Sequence, residues 1–166
     1  MEFVSLKYSE RVKAHFREAL AVIFLAYIIF FGFSTVKRNK DWHDPIIFFE
    51  KITKFNSSSI LIWNNLGMNY AERGYLEKAV ESYKKAIELD KENKSAPPHH
   101  NLGNSYFALG RVEQAEEEFR KAIQIDKDFV YSYQALYLLY QSLKREKEAI
   151  EILEQKNKIL DQINQK

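Results

Sequence analysis

From Trp63 onward the chain repeats itself: W-N-N-L-G-x-x-Y then A-x-x-x-Y-x-x-A, and, from His99, H-H-N-L-G-x-x-Y then A-x-x-x-F-x-x-A. A recurrence of this size fixes the architecture. Each unit is a helical hairpin too small to bury its own apolar face, so the units must stack. In the first unit Trp63, Leu66, Gly67 and Tyr70 share one helix face, and Ala79, Tyr83 and Ala86 share another, by steps of three and four residues. The second unit places His99, Leu102, Gly103 and Tyr106, then Ala115, Phe119 and Ala122, at the same positions. The small residues Gly67, Gly103, Ala79 and Ala115 let the paired helices approach, and Tyr83 and Phe119 fill the space between hairpins. Gly74 and Gly110 fall where the first helices must stop, the usual place for a left-handed cap. Asp90 and Asp126 close the second helices.

The first unit runs 60–93 and the second 94–129, with a two-residue insertion in the turn that joins them. Pro97 or Pro98 begins the next helix, where a missing N–H costs little. A degenerate third unit occupies 130–166. It keeps Tyr133, Leu136, Tyr140, Ala149 and Leu153, but Tyr137 stands in place of glycine, Lys156 in place of alanine and Lys144 at the glycine terminator. Ile150, Leu153, Leu160 and Ile163 make its tail an amphipathic capping helix. Ahead of the repeats, Asp44 and Pro45 predict a half-repeat helix from about Pro45 to Phe55, within a junction spanning 37–59.

This spacing resembles the tetratricopeptide repeat (TPR) family over roughly Ile60 to Leu160. The resemblance implies an all-α fold: a right-handed α-solenoid of about three hairpins, whose concave side, lined by the first helices, holds a partner segment. A narrower likeness lies in Arg38-Asn39-Lys40-Asp41-Trp42-His43-Asp44, which resembles the junction in polytopic glycosyltransferase-like membrane proteins with C-terminal TPRs. In those relatives the repeats are extracytoplasmic. Their catalytic membrane domain has no counterpart in this sequence, so glycosyl transfer does not carry over.

Residues 19–36 carry no charge and would span about 27 Å as a helix, close to the hydrocarbon core of a bilayer. Arg11, Lys13 and Arg17 precede this stretch, and Lys37, Arg38 and Lys40 follow it. A retained membrane helix after a short polar segment, 1–18, is the leading expectation. A cleaved signal, which would release a secreted module, and a buried helix of a soluble protein also fit such a stretch. Basic residues on the two sides nearly balance, so charge does not orient the span.

A net charge of +2 without a basic block argues against nucleic acid, and the lack of cysteine excludes disulfides, thiolate metal sites and cysteine nucleophiles. His99 and His100 are adjacent and diverge on a helix, while His15 and His43 are isolated, so no metal site is expected. Glu116-Glu117-Glu118 beside Arg120 and Lys121 reads as a solvated charged face. No phosphate loop or nucleophile elbow is present, and neither a cofactor nor a small-molecule substrate is expected.

The expected concave face carries Asn64, Met68 and Ala71, then His100, Asn104 and Phe107, then Tyr131, Gln134 and Leu138. Asn and Gln amides suit peptide backbone, and Met68, Phe107 and Tyr131 supply apolar anchors. The expected function is a membrane-anchored, non-enzymatic scaffold with protein or peptide partners and an extracytoplasmic array. Its alternatives are an accessory or detached part of a glycosyltransferase system and a secreted binding module.

Overall fold

The computed structural model describes the backbone of residues 2–165, and side chains from Lys13 onward except at 14, 16, 37–43 and 166. The junction residues Arg38 to His43, which carry the glycosyltransferase-like likeness, therefore have side chains outside the described residues. All regular structure among the described residues is helical. The chain divides into two units, Met1–Asp44 and Pro45–Lys166.

The first unit is one helix, α1 (Glu2–His43). It extends beyond the apolar stretch in both directions, because residues 2–43 contain no proline. Pro45 marks the stop, since a proline disfavours helical backbone in the residue before it. Arg17–Val36 is long and apolar enough to cross a membrane, and its large side chains, Val22 and Phe33 among them, are exposed.

The second unit is an α-solenoid of seven helices: α2 (Pro45–Phe55), α3 (Ile60–Glu72), α4 (Leu76–Leu89), α5 (Ala96–Ala108), α6 (Val112–Ile125), α7 (Val130–Ser142) and α8 (Glu146–Asn164). Helices α3/α4, α5/α6 and α7/α8 form three hairpins, and α2 packs on α3 as a half-hairpin. Each hairpin turn has the same hydrogen bonds. Tyr75 N donates to Tyr70 O and Gly74 N to Ala71 O; Arg111 and Gly110, then Arg145 and Lys144, repeat the pattern. This double bond satisfies the last carbonyls of the first helix and needs a left-handed residue. Gly74 and Gly110 supply it with φ of 79° and 73°, and Lys144 adopts 57° without being glycine.

Packing explains the small-residue pattern. A Cβ on Gly67 would lie 2.5 Å from the Tyr83 ring, and one on Gly103 would lie 2.6 Å from the Phe119 ring. The glycines therefore let α3 and α5 seat directly on aromatic rings of α4 and α6. Tyr83, Phe119, Ala79, Ala86, Ala115 and Ala122 are buried in the core with Leu66, Leu102, Leu136 and Leu139. Burial of each such ring stabilises the stack by about 1.5–3 kcal/mol. In the third hairpin Leu153, not an aromatic ring, follows Ala149, and Tyr137 is accommodated against the core.

Tyrosines stitch successive hairpins together. Tyr70 Oη donates to Glu50 on α2, and Tyr140 Oη donates to Glu116 on α6 at 2.7 Å. Burial, then the adjacent carboxylate, pushes both hydroxyls up to about 12, so they remain protonated donors. Trp63 Nε1 donates to Ser57 O at 2.8 Å and ties α3 to the turn after α2.

Candidate functional site

Helices α3, α5 and α7 touch one another in succession, whereas among the described residues α4, α6 and α8 do not. Closer spacing on one side curves the stack, so the first helices line its inner face. That face is nearly free of charge: Glu72 is the single Asp, Glu, Lys or Arg on α3, α5 and α7. The second helices carry the charge instead.

The expected face residues divide into two groups. Met68 is 41% exposed, Phe107 37%, Tyr131 70% and Leu138 50%, and Asn104 is exposed too. These side chains present a row of apolar surface with an amide among them. The others are held by the scaffold. Asn64 is buried, accepts from Asn101 Nδ2 at 2.9 Å and directs its own Nδ2 to Met68 Sδ. Gln134 accepts from Lys156 Nζ at 2.7 Å, which links α7 to α8. Lysine at a position held by alanine in the other hairpins therefore has a structural partner.

His100 joins α5 to α7. Its Nε2 accepts from Asn104 Nδ2 at 3.0 Å, leaving Nδ1–H to donate to Ser132 Oγ at 3.1 Å. The ring lies among Phe119, Phe129 and Tyr131, and burial lowers its pKa to about 4. The imidazole is neutral at physiological pH and adds no charge to the inner face.

His99 points the other way. Its Nδ1 lies 2.6 Å from Glu118 Oε2, and its Nε2 lies 3.2 Å from Asn93 Oδ1. Asn93 sits at φ 51° in the α4–α5 connection, residues 90–95, which is two residues longer than 126–129 between α6 and α7. The added turn thus brings an amide oxygen to the histidine ring.

The solvated face expected of Glu116–Glu118 holds only for Glu117. Glu118 is 9% exposed, and Glu116 is half-buried between Arg145 Nη1 at 2.6 Å and Tyr140. Burial raises the pKa of both carboxyls, but hydrogen bonds outweigh it and hold them below the usual range. Those bonds come from Tyr140, Arg145 and Arg120 to Glu116, and from His99 and Lys121 to Glu118. Among the described residues no group of three His, Asp or Glu could hold a metal ion.

Between α3, α4 and α5 the inner face sinks into a hollow of about 330 Å³. Met68, Ala71, Leu76 and Ala108 form its apolar wall, and Glu72, Asn101, Asn104 and Ser105 give it polar atoms. Ser105 was not singled out in the sequence, because a serine beside the helix-face tyrosine carries no pattern of its own. Its Oγ is buried without a hydrogen-bond partner.

The fold is a TPR-like α-solenoid. Residues 58–128 match the family model for the tetratricopeptide repeat, a span that takes in the first two hairpins. A crystal structure of MamA is similar at 27% identity and a TM-score of 0.65, over 74% of this chain and 71% of that one. A second crystal structure of MamA aligns at 26% identity and 0.64, over 77% and 69%. The crystal structure of YrrB, described as a TPR protein with an unusual peptide-binding site, aligns at 23% identity and 0.59, over 67% and 56%; at that identity the likeness concerns the fold alone. No curated protein matches the chain. Together these matches agree with the TPR-like fold, with the repeat itself matched over residues 58–128.

Proposed function

We propose that this chain is a membrane-anchored docking protein, with α1 inserting Arg17–Val36 into a bilayer and the solenoid holding a peptide segment along α3, α5 and α7. The observation that carries the docking reading is the inner face itself. Three successive helices with one charged residue among them leave Met68, Phe107, Tyr131 and Leu138 exposed. Aromatic and methionine side chains with amides beside them are the composition that dominates protein interfaces. The peptide-binding description of YrrB, a structural neighbour, agrees with this reading. The solenoid is assigned to the extracytoplasmic side on the likeness of its Arg38–Asp44 junction to membrane proteins with TPRs there.

A photo-crosslinking amino acid placed at Phe107 or Tyr131 in the full chain tests the docking. Discrete adducts are expected from both positions and none from Gln124 on α6. Equal adducts from all three would sink the inner-face assignment. For the anchor, the full-length chain should stay in the pellet after alkaline carbonate extraction; release as a shortened soluble species would instead mark a cleaved signal. Because the chain lacks cysteine, a single Gln124→Cys label with a membrane-impermeant maleimide reads which side the solenoid occupies.

A further inference from the structure

The hollow between α3, α4 and α5 is selective for one kind of side chain. Its one formal charge is negative: Glu72 lines it beside the Asn101 and Asn104 amides and the Ser105 and Tyr83 side chains. Asn101 Nδ2 donates to Asn64 and Asn104 Nδ2 to His100, which leaves each amide its carbonyl oxygen and one further N–H for a ligand. Glu72 adds a carboxylate, the single formal charge on the first helices. It is close enough that, after burial, it is the second cause raising the Tyr83 hydroxyl pKa. Ser105 Oγ, 2% exposed as a residue, lies at the hollow without a partner. An unsatisfied buried hydroxyl costs free energy that a bound donor or acceptor would recover. The remaining wall is formed by Met68, Ala71, Leu76 and Ala108 together with Tyr83.

A hydrocarbon stem ending in several N–H donors and a positive charge is the chemistry that satisfies all of these features at once. A carboxylate or phosphate would meet the like charge of Glu72. A purely apolar side chain would desolvate the acceptors and give them nothing. We propose that this hollow receives the lysine or arginine side chain of a bound peptide, its stem along Met68 and Leu76 and its head between Glu72 and the Asn101 and Asn104 carbonyls. Positions flanking that residue contact the uncharged surface of Phe107 and Tyr131, so the partner segment is otherwise neutral. This assignment rests on the inner face being a peptide groove, as proposed above.

Four pools of short peptides, blocked at both ends, test it on the full chain in non-ionic detergent. Each pool fixes its central residue as Lys, Arg, norleucine or Glu and draws the others from Ala, Asn, Gln, Leu, Ser and Phe. Charge-assisted hydrogen bonds should make the Lys and Arg pools bind about tenfold more tightly than norleucine. Glu72→Gln should shrink that advantage over norleucine to about twofold or less. Glu72 is exposed at the end of α3, so the variant keeps the fold. Equal binding of all four pools, a preference for Glu, or an undiminished Lys advantage in Glu72→Gln overturns the basic-residue assignment but leaves the groove standing. Failure of every pool to bind overturns the groove reading as well.

Discussion

His99 Nδ1 and Glu118 Oε2 lie 2.6 Å apart inside the second hairpin, with the two side chains only 7% and 12% exposed. The first unit has Trp63 at the histidine position, so the second hairpin replaces an aromatic plug with an ionisable pair. Lys121 closes the pair from the outside, 2.9 Å from the second carboxylate oxygen. Removing the carboxylate strands a buried imidazole. Glu118→Ala is expected to lower stability by about 2–3 kcal/mol, the cost of orphaning a charged hydrogen bond. Glu117→Ala, one residue away in sequence but 64% exposed, should change stability by less than about 0.5 kcal/mol. Urea unfolding of the two variants against the wild type decides it; equal midpoints would show that the pair is solvated after all.

The pH dependence follows from His100. Its pKa in the fold, about 4, lies below the ordinary 6.5, so the unfolded chain takes up a proton first as pH falls. The His100 contribution to stability therefore declines between about pH 6.5 and pH 4 by roughly 3 kcal/mol and is constant below. Glu116 and Glu118 act in a lower window with the opposite origin: their carboxyls are depressed in the fold, so their stabilisation is intact above the ordinary carboxylate range and is lost as pH falls through the folded values. His100→Gln keeps a hydrogen-bonding group toward Ser132 and Asn104 but cannot titrate. Its unfolding free energy should be flat between about pH 6.5 and pH 5, where the wild type slopes. Parallel slopes in the two proteins would refute the assignment.

Sequence periodicity revealed the helical hairpins because a packed face must recur every three or four residues, and Trp63, Gly67, Tyr83, Gly103 and Phe119 do so. It also picked out Met68, Phe107, Tyr131 and Leu138, which the fold leaves exposed. Side chains whose partners lie on another helix were less legible. Asn64 and His100 share the inner-face spacing, yet the amide is met by Asn101, 37 residues on, and the ring by Ser132, 32 residues on. Glu118 looked solvated because Lys121 stands at helical spacing beside it, while its deeper partner His99 is on the preceding helix. The hollow around Ser105 exists only once α3 and α5 are side by side.

The glycines at 67 and 103 are predicted to be needed only while an aromatic ring faces them. Gly103→Ala puts a methyl 2.6 Å from Phe119 Cε1, and overpacking of that kind costs about 1–3 kcal/mol. The third hairpin, with Tyr137 and Leu153 at the matching positions, shows how the conflict resolves. In a Phe119→Leu background the same Gly103→Ala change should cost less than about 0.5 kcal/mol, a non-additivity read directly by a double-mutant cycle. An equal cost in both backgrounds would mean that a contact other than the ring sets the requirement, since helix propensity alone favours the alanine.

Lys144 is the site where stability can be gained without touching the inner face. It holds φ at 57° in the turn between α7 and α8, where Gly74 and Gly110 occupy the same place in the other hairpins. Its N–H still donates to Gln141 O at 3.0 Å, and the next N–H, of Arg145, reaches Tyr140 O at 2.9 Å, so the turn is fully bonded and only the Cβ is crowded. An L-residue in this region carries a penalty of roughly 1 kcal/mol that glycine lacks. Glycine also gains freedom in the unfolded chain, which offsets part of the benefit. Lys144→Gly should therefore stabilise the protein by about 0.5 kcal/mol, and Gly110→Lys should destabilise it by about 1–2 kcal/mol. Lys144 is exposed, so no packing is lost in the exchange. Paired denaturant midpoints measure both signs, and a loss of stability in Lys144→Gly would show that the lysine side chain contributes more to the turn than its backbone strain removes.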